Sequence, residues 1–287
     1  MKKKQTYLST LTIRSLDVVY EPARTRKSSK RIWMVLYIQW ATHNGMSLHP
    51  KKTVVMHFGH NNPHHQYTLS GSFITSALCT KDLGVHINVK CTPSDHVIEV
   101  TKKANGVLAQ IRRSTISRSS EMVTKLYTTY VRPIIESSVQ VWNPWLRRDI
   151  DHIEKVQRRA TKLVSGIGSK PYNERLKICK LTTLEERRTR GDLLESFKIM
   201  NNFTNVEKSD FFEFAKDRHQ MNTRGAAEDL LVPQMTKLDV RKYFFSNRIV
   251  QAWNDLPLEI RMAPSVNGFK NSYDDYTMHN TNDRSFH

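Results

Sequence analysis

The chain has 287 residues, 38% of them hydrophobic, with only 10 glycines and 10 prolines, which excludes a low-complexity or collagen-like chain and leaves enough apolar material for a core. Lys and Arg number 45 against 27 Asp and Glu, a formal charge of +18. No run approaches the ~20 apolar residues of a membrane span, the start MKKKQTYLSTLTIRS lacks the apolar middle of a secretory signal, and three scattered cysteines, Cys79, Cys91 and Cys179, make no disulfide framework, so a soluble intracellular protein of nucleus or cytoplasm is expected.

The charge is unevenly placed. Residues 1–190 hold 33 basic and 13 acidic side chains, a net +20, whereas residues 191–287 hold 12 and 14, a net −2. A surface of the first kind attracts polyanions by counterion release. It suits an acidic protein partner as well as a nucleic acid.

In chain order, residues 1–38 read as a basic arm with KSSKR at 27–31, within which LTIRSLDVVY has strand character. After the turn residues of HNGMSLHPKK, the alternation in KKTVVMHF (51–58) predicts a strand, and QYTLS a second one closing a hairpin over the loop GHNNPHH. The histidines of that loop region, His57, His60, His64 and His65, lack a CxxC pair and lie among turn residues, so no metal site is expected. Ser70 and Gly71 turn the chain again, and LGVHINV (83–89) predicts a further strand.

From residue 92 the period changes to that of helices. Thr92, Pro93, Ser94 and Asp95 give a helix start with a hydroxyl cap and proline at the first position. Val97, Val100, Ala104, Val107, Leu108 and Ile111 then form an inward stripe, and Lys102, Lys103, Arg112 and Arg113 lie on the other faces. A second helix from about Ser119 places Val123, Leu126, Tyr130 and Ile134 inward, with a kink at Pro133. The third, RRDIDHIEKVQRRATKLVSG, sets Ile153, Val156, Ala160 and Leu163 on one side and Lys155, Arg158, Arg159 and Lys162 on the other. That face is a basic ridge without interleaved acid.

Gly166, Ile167, Gly168, Ser169 and Lys170 fail the phosphate-loop spacing and read as a helix stop. LTTLEERRTRGDLLESFKIM predicts another long helix, and Phe244, Phe245 and Trp253 are core candidates. Near the end, NSYDDY (271–276) places two aspartates between tyrosines, superficially like a metal-binding polymerase turn. Position 272 is serine, not aromatic, and the segment follows a helical pattern, so Asp274 and Asp275 read as solvated acids closing the last helix.

The series KDLGVHI, KKANGVLAQIRR, LYTTYVRPIIESSVQVWNP, DIDHIEKVQRRATKLV, YNERL, LTTLEERRTRGDL, TRG, FFSNRIVQAWNDLP and FK closely resembles the C-terminal part of jockey-type non-LTR retrotransposon reverse transcriptases, a resemblance that covers roughly residues 40–276 in the right order. The resemblance implies an α+β fold: small antiparallel hairpins of a palm remnant over 39–91, a mainly helical thumb bundle over 92–168, and a helical C-terminal extension with a disordered tail over 169–287. It implies a palm lysine at Lys51 or Lys52 and a primer-grip-like hairpin at Leu83, Gly84 and Val85. Lys102, Lys103, Arg112, Arg113, Lys155, Arg158, Arg159 and Lys162 become contacts to an RNA or RNA–DNA duplex.

In that family the catalytic double aspartate precedes the HNGMSLHPKK block, where this sequence offers only Asp17 and Glu21 before residue 82. A two-metal centre needs converging carboxylates. The expectation is therefore no catalytic residue and no cofactor, magnesium belonging to the intact family enzyme, and a chain limited to nucleic-acid binding. A non-catalytic interaction protein and a non-functional truncated fragment remain the alternatives.

Overall fold

A computed structural model describes residues 39–46, 49–59, 61–69, 71–215 and 230–283. The basic arm with its LTIRSLDVVY segment, Asp17, Glu21 and His60 lie outside these. The chain divides into two compact units, one ending at Cys91 and one starting at Thr92. It is mixed α and β, with short strand pairs and many helices.

In the first unit, residues 39–43 are helical. The strands are β1 (Val54–Val55), β2 (Thr68–Leu69), β3 (Ser72–Phe73), β4 (Thr75–Ser76), β5 (Cys79–Asp82) and β6 (Val85–Asn88). KKTVVMHF and QYTLS do not pair with each other. Instead β2 pairs antiparallel with β3, Leu69 opposite Ser72, while β1 pairs with β4 in parallel, Val54 opposite Thr75. The expectation of antiparallel hairpins alone is corrected here. So short a connection closes at less entropic cost than the loop GHNNPHH, and Gly71, at φ 79°, supplies a positive φ there.

The expected strand LGVHINV loses its first two residues to a turn. β5 and β6 pair from Cys79–Asn88 to Asp82–Val85, and Leu83 (φ 44°) and Gly84 (φ 93°) form the two-residue connection. Positive φ at both central positions suits the right-handed strand twist. Gly84 takes it freely, but a leucine Cβ crowds the following carbonyl. Leu83 is 76% exposed, so no burial offsets that strain. Leu83→Asn is accordingly expected to raise stability by about 1 kcal/mol, read as a shift in the thermal unfolding midpoint.

The second unit opens with α1 (Ser94–Ser114), whose acidic first turn (Asp95) and basic last turn (Arg112, Arg113) complement its dipole. The expected hydroxyl cap is corrected: Pro93 occupies the cap position without a side-chain bond, and Ser94 Oγ instead donates to Asp149 at 2.6 Å. Val97, Ala104, Leu108 and Ile111 are buried as the period requires, joined by His96 and Thr101. His96 lies against Trp142, with ring centroids 4.7 Å apart.

The next helical stretch holds α2 (Ser120–Leu126), a π-helical turn (Tyr127–Val131) and α3 (Arg132–Glu136). Its buried side is Val123, Tyr127, Val131 and Ile135, whereas the expected Tyr130 is 58% exposed. Widening of the turn is the cause. The Arg132 N–H bonds the Tyr127 carbonyl, five residues back, just before Pro133, which has no N–H to donate. That wide turn moves the inward side to a four-residue spacing.

Beyond α4 (Val139–Trp142) come α5 (Arg147–Lys162), α6 (Tyr172–Ile178) and α7 (Leu184–Met200). α7 begins with a reciprocal capping box: Thr183 Oγ1 accepts from the Glu186 N–H at 3.2 Å, and Glu186 Oε2 accepts from the Thr183 N–H at 2.9 Å. A strand pair, β7 (Glu213–Phe214) with β8 (Leu231–Val232), precedes the short helices α8 (Asp239–Lys242), α9 (Phe245–Arg248), α10 (Val250–Asn254) and α11 (Leu258–Arg261), and then α12 (Val266–Asp283). The main core joins Leu193 and Phe197 of α7 to Phe245, Ile249, Trp253 and Phe269. Phe245 and Trp253 are core as expected, and Phe244 is half-buried.

The expected disordered tail is a helix as far as Asp283. Phe269, Tyr273 and Tyr276 recur at spacings of four and three on its inner side and pack on the core. Nor does NSYDDY close the helix. Asp274 sits in its middle and takes a two-pronged ion pair from Arg190, at 2.6 and 2.7 Å, while Asp275 is exposed. An ion-paired carboxylate half-covered by its partner replaces the expected solvated acid.

Candidate nucleic-acid interface

The site begins with how α1 and α5 lie together. Ser94 reaches Asp149 and Asn105 reaches Arg159, so both contacts advance along the two chains in the same sense and the helices run parallel. Ile153, Val156 and Ala160 of α5 face inward, each fully buried. At 100° per residue this forces Lys155, Arg158, Arg159 and Lys162 outward, and all of them are exposed. None is ion-paired to a described acid. Among the described residues the charge of the ridge is left unneutralised.

Two of these cations are braced. Arg159 Nη1 donates to Asn105 Oδ1 at 3.0 Å, which ties the ridge to α1. Arg158 lies over the ring of Tyr172, 4.2 Å from its centroid, and Arg175 approaches the same ring at 5.4 Å. Arg175 Nη1 also donates to the Arg158 carbonyl at 2.9 Å. A guanidinium held on an aromatic face and a fixed backbone has less rotamer freedom to lose when it meets a phosphate.

Tyr172 is itself fixed from below. Its hydroxyl donates to Glu154 Oε1 and accepts from Gln157 Nε2 at 3.0 Å. Gln157, fully buried, also accepts from Tyr127 Oη at 2.9 Å and donates to the Thr182 carbonyl at 2.9 Å. Glu154 Oε2 accepts the Leu184 N–H at 3.0 Å. Burial, and then the bond to Glu154, push the Tyr172 hydroxyl well above its ordinary pKa, which keeps it a proton donor throughout the physiological range. The apolar back expected for α5 is thus a partly polar one, and its polar members steady the exposed ridge.

On α1, Lys102, Lys103, Arg112 and Arg113 are exposed. Helical geometry puts Lys102, Arg112 and Arg113 within about 80° of Asn105 and Lys103 about 160° from it. The first three extend the ridge as one strip, and Lys103 falls on the far flank. Past the end of α1, Arg118 Nη2 donates to the Arg112 carbonyl at 3.3 Å and brings a further cation to that end. Lys51 and Lys52 occupy an exposed turn in the first unit, and Leu83 and Gly84 form the tip of the β5–β6 hairpin with Val85 buried beside it.

Asn105, Tyr172 and Arg118 carry no signal of their own in the sequence. Asn105 reads as a neutral helix residue, and Tyr172 belongs to the helix after the ridge. Among the described residues no group of three or more His, Cys, Asp or Glu is placed to hold a metal ion, and no helix is long and apolar enough to cross a membrane. Comparison with family models, with curated proteins and with solved structures returns no match, so the strip is described by its own geometry alone.

Proposed function

We propose that this chain binds the phosphate backbone of an RNA or RNA–DNA duplex through the α1–α5 strip, as the thumb of a non-LTR retrotransposon reverse transcriptase would, without polymerase chemistry of its own. One observation carries this reading. Lys155, Arg158, Arg159 and Lys162 stand exposed on one side of α5 with no ion-pair partner among the described residues, and Arg158 and Arg159 are braced from behind. Cations on a rigid helix fit a regularly spaced row of phosphates and need no base-reading side chain. The chain is thereby a sequence-tolerant, salt-sensitive binder.

Fluorescence anisotropy of a labelled RNA–DNA hybrid over a salt series tests this. Removing both unbraced cations in Lys155→Gln/Lys162→Gln is expected to lower affinity roughly tenfold near 0.1 M salt and to reduce the slope of log affinity against log salt by about two. An unchanged slope overturns the strip. Competition by polyglutamate as strong as by duplex redirects the face to an acidic protein.

A further inference from the structure

The link between α1 and α2 and the two helix ends beside it are rich in hydroxyls: Ser114, Thr115, Ser117, Ser119 and Ser120. Their hydrogen bonds sort them. Ser114 Oγ donates back to the Gln110 carbonyl at 3.0 Å, Ser119 Oγ caps α2 by accepting from the Met122 N–H at 3.3 Å, and Ser120 Oγ donates to the Ile178 carbonyl at 3.4 Å. The hydroxyls of Thr115 and Ser117 bond to no described residue. Thr115 has left the helix for an extended backbone, φ −108° and ψ 114°, and Ile116 after it is 102% exposed.

Exposed arginines, Arg112 and Arg113, stand three and two residues before Thr115. Protein kinases with carboxylate-lined substrate clefts select this arrangement: paired guanidiniums upstream, a hydroxyl acceptor on extended backbone, and an apolar residue next to fill a pocket. Ser117 lacks it, because Ser114 and Thr115 occupy the corresponding upstream positions. Admission to the cleft requires only the last turn of α1 to open, and helix ends are the least stable part of a helix.

We propose that Thr115 is a phosphorylation site for an arginine-directed serine/threonine kinase, and that phosphate there weakens the hold of the basic strip on nucleic acid. The second half rests on the nucleic-acid reading above. In the transfer, Thr115 Oγ1 attacks the γ-phosphorus of ATP, the bond to the β–γ bridging oxygen breaks, ADP leaves with that electron pair, and the hydroxyl proton passes to the kinase base. The product carries a charge of about −2 beside Arg112, Arg113 and Arg118. It competes for those guanidiniums with the phosphates of a duplex.

The test treats the full chain with magnesium-ATP and the catalytic subunit of cAMP-dependent kinase, then maps phosphopeptides. Mapping also separates Thr115 from Ser28 and Ser29, which follow RK at 26–27. Phosphate on Thr115, absent from Thr115→Ala and retained at position 115 in Thr115→Ser, supports the site; no phosphate at position 115, or phosphate only on Ser117, overturns it. Kinase-treated chain is then compared with kinase-treated Thr115→Ala in the hybrid anisotropy assay. Roughly tenfold weaker binding and a salt slope lower by about two are expected, and equal affinities overturn the electrostatic half. If untreated chain fails to bind the hybrid, the nucleic-acid reading and the electrostatic half fall together, while the phosphopeptide map still decides the acceptor.

Discussion

Asp192→Ala is expected to destabilise the second unit by about 3–5 kcal/mol, the cost of removing one partner from a buried ion pair. Asp192 is 2% exposed on α7, and Arg248 grips it with Nε and Nη2, each at 2.9 Å. Asn143 Nδ2 adds a bond to Oδ2 at 3.1 Å, and Asn143 Oδ1 accepts from Arg188 Nε at 3.0 Å. Arg248 further donates to the carbonyls of Gln140 and Tyr243, at 3.0 and 3.1 Å. One carboxylate therefore links α4, α7, α9 and the segment before α5. Without it a buried guanidinium keeps its charge and loses its counter-ion, a heavier penalty than the pair itself confers. The paired replacement Asp192→Leu/Arg248→Met should recover most of the loss, since it leaves no unpaired guanidinium at position 248. Urea denaturation followed by tryptophan fluorescence checks both. A midpoint for Asp192→Ala within error of the parent would remove the carboxylate from its structural role.

Trp253→Ala is the second large effect, about 3–5 kcal/mol, from lost transfer energy and the cavity left behind. Trp253 is 2% exposed, its ring stacked 6.5 Å from that of Phe269, which in turn lies 4.5 Å from Phe197. α7, α10 and α12 meet through this row of rings, so no single neighbour can collapse into the gap. Such aromatic contacts add to the area term. Near-UV circular dichroism should lose intensity together with the fall in unfolding midpoint, and Trp253→Phe should recover part of both. A variant with unaltered midpoint would place the core elsewhere.

These effects also mark what could be read before folding and what could not. α1, α5 and α7 were legible because their signals are local: apolar residues at helical spacing, and on α1 and α5 cations on the other faces. The ridge of Lys155, Arg158, Arg159 and Lys162 follows from that same period. Glu154 and Gln157 were not legible as buried, since their polarity reads as surface until Tyr127, Tyr172 and the Thr182 carbonyl arrive from other elements to satisfy them. The wide turn at Tyr127–Val131 escaped because spacings of three and four fit an ordinary helix equally well, and Pro133 announces a disruption without its form. Parallel pairing of β1 with β4 depends on the competing hairpin, which no single strand's alternation reveals. Asp274 looked solvated because its partner, Arg190, lies 84 residues away in sequence.

That distance bears on how the protein is made. α7 leaves the ribosome before the rings of Phe245, Trp253 and Phe269 that it packs against, and the cover of Leu193 and Phe197 is complete only when α12 follows with Phe269 and Asp274. A domain folds as a unit, and here Asp274 of α12, 84 residues beyond Arg190, also brings that arginine its counter-charge. Closure of this core therefore waits for α12, whatever α7 has already gathered around it. The aspartate that imitates a catalytic acid acts as a latch on a helix made 84 residues earlier.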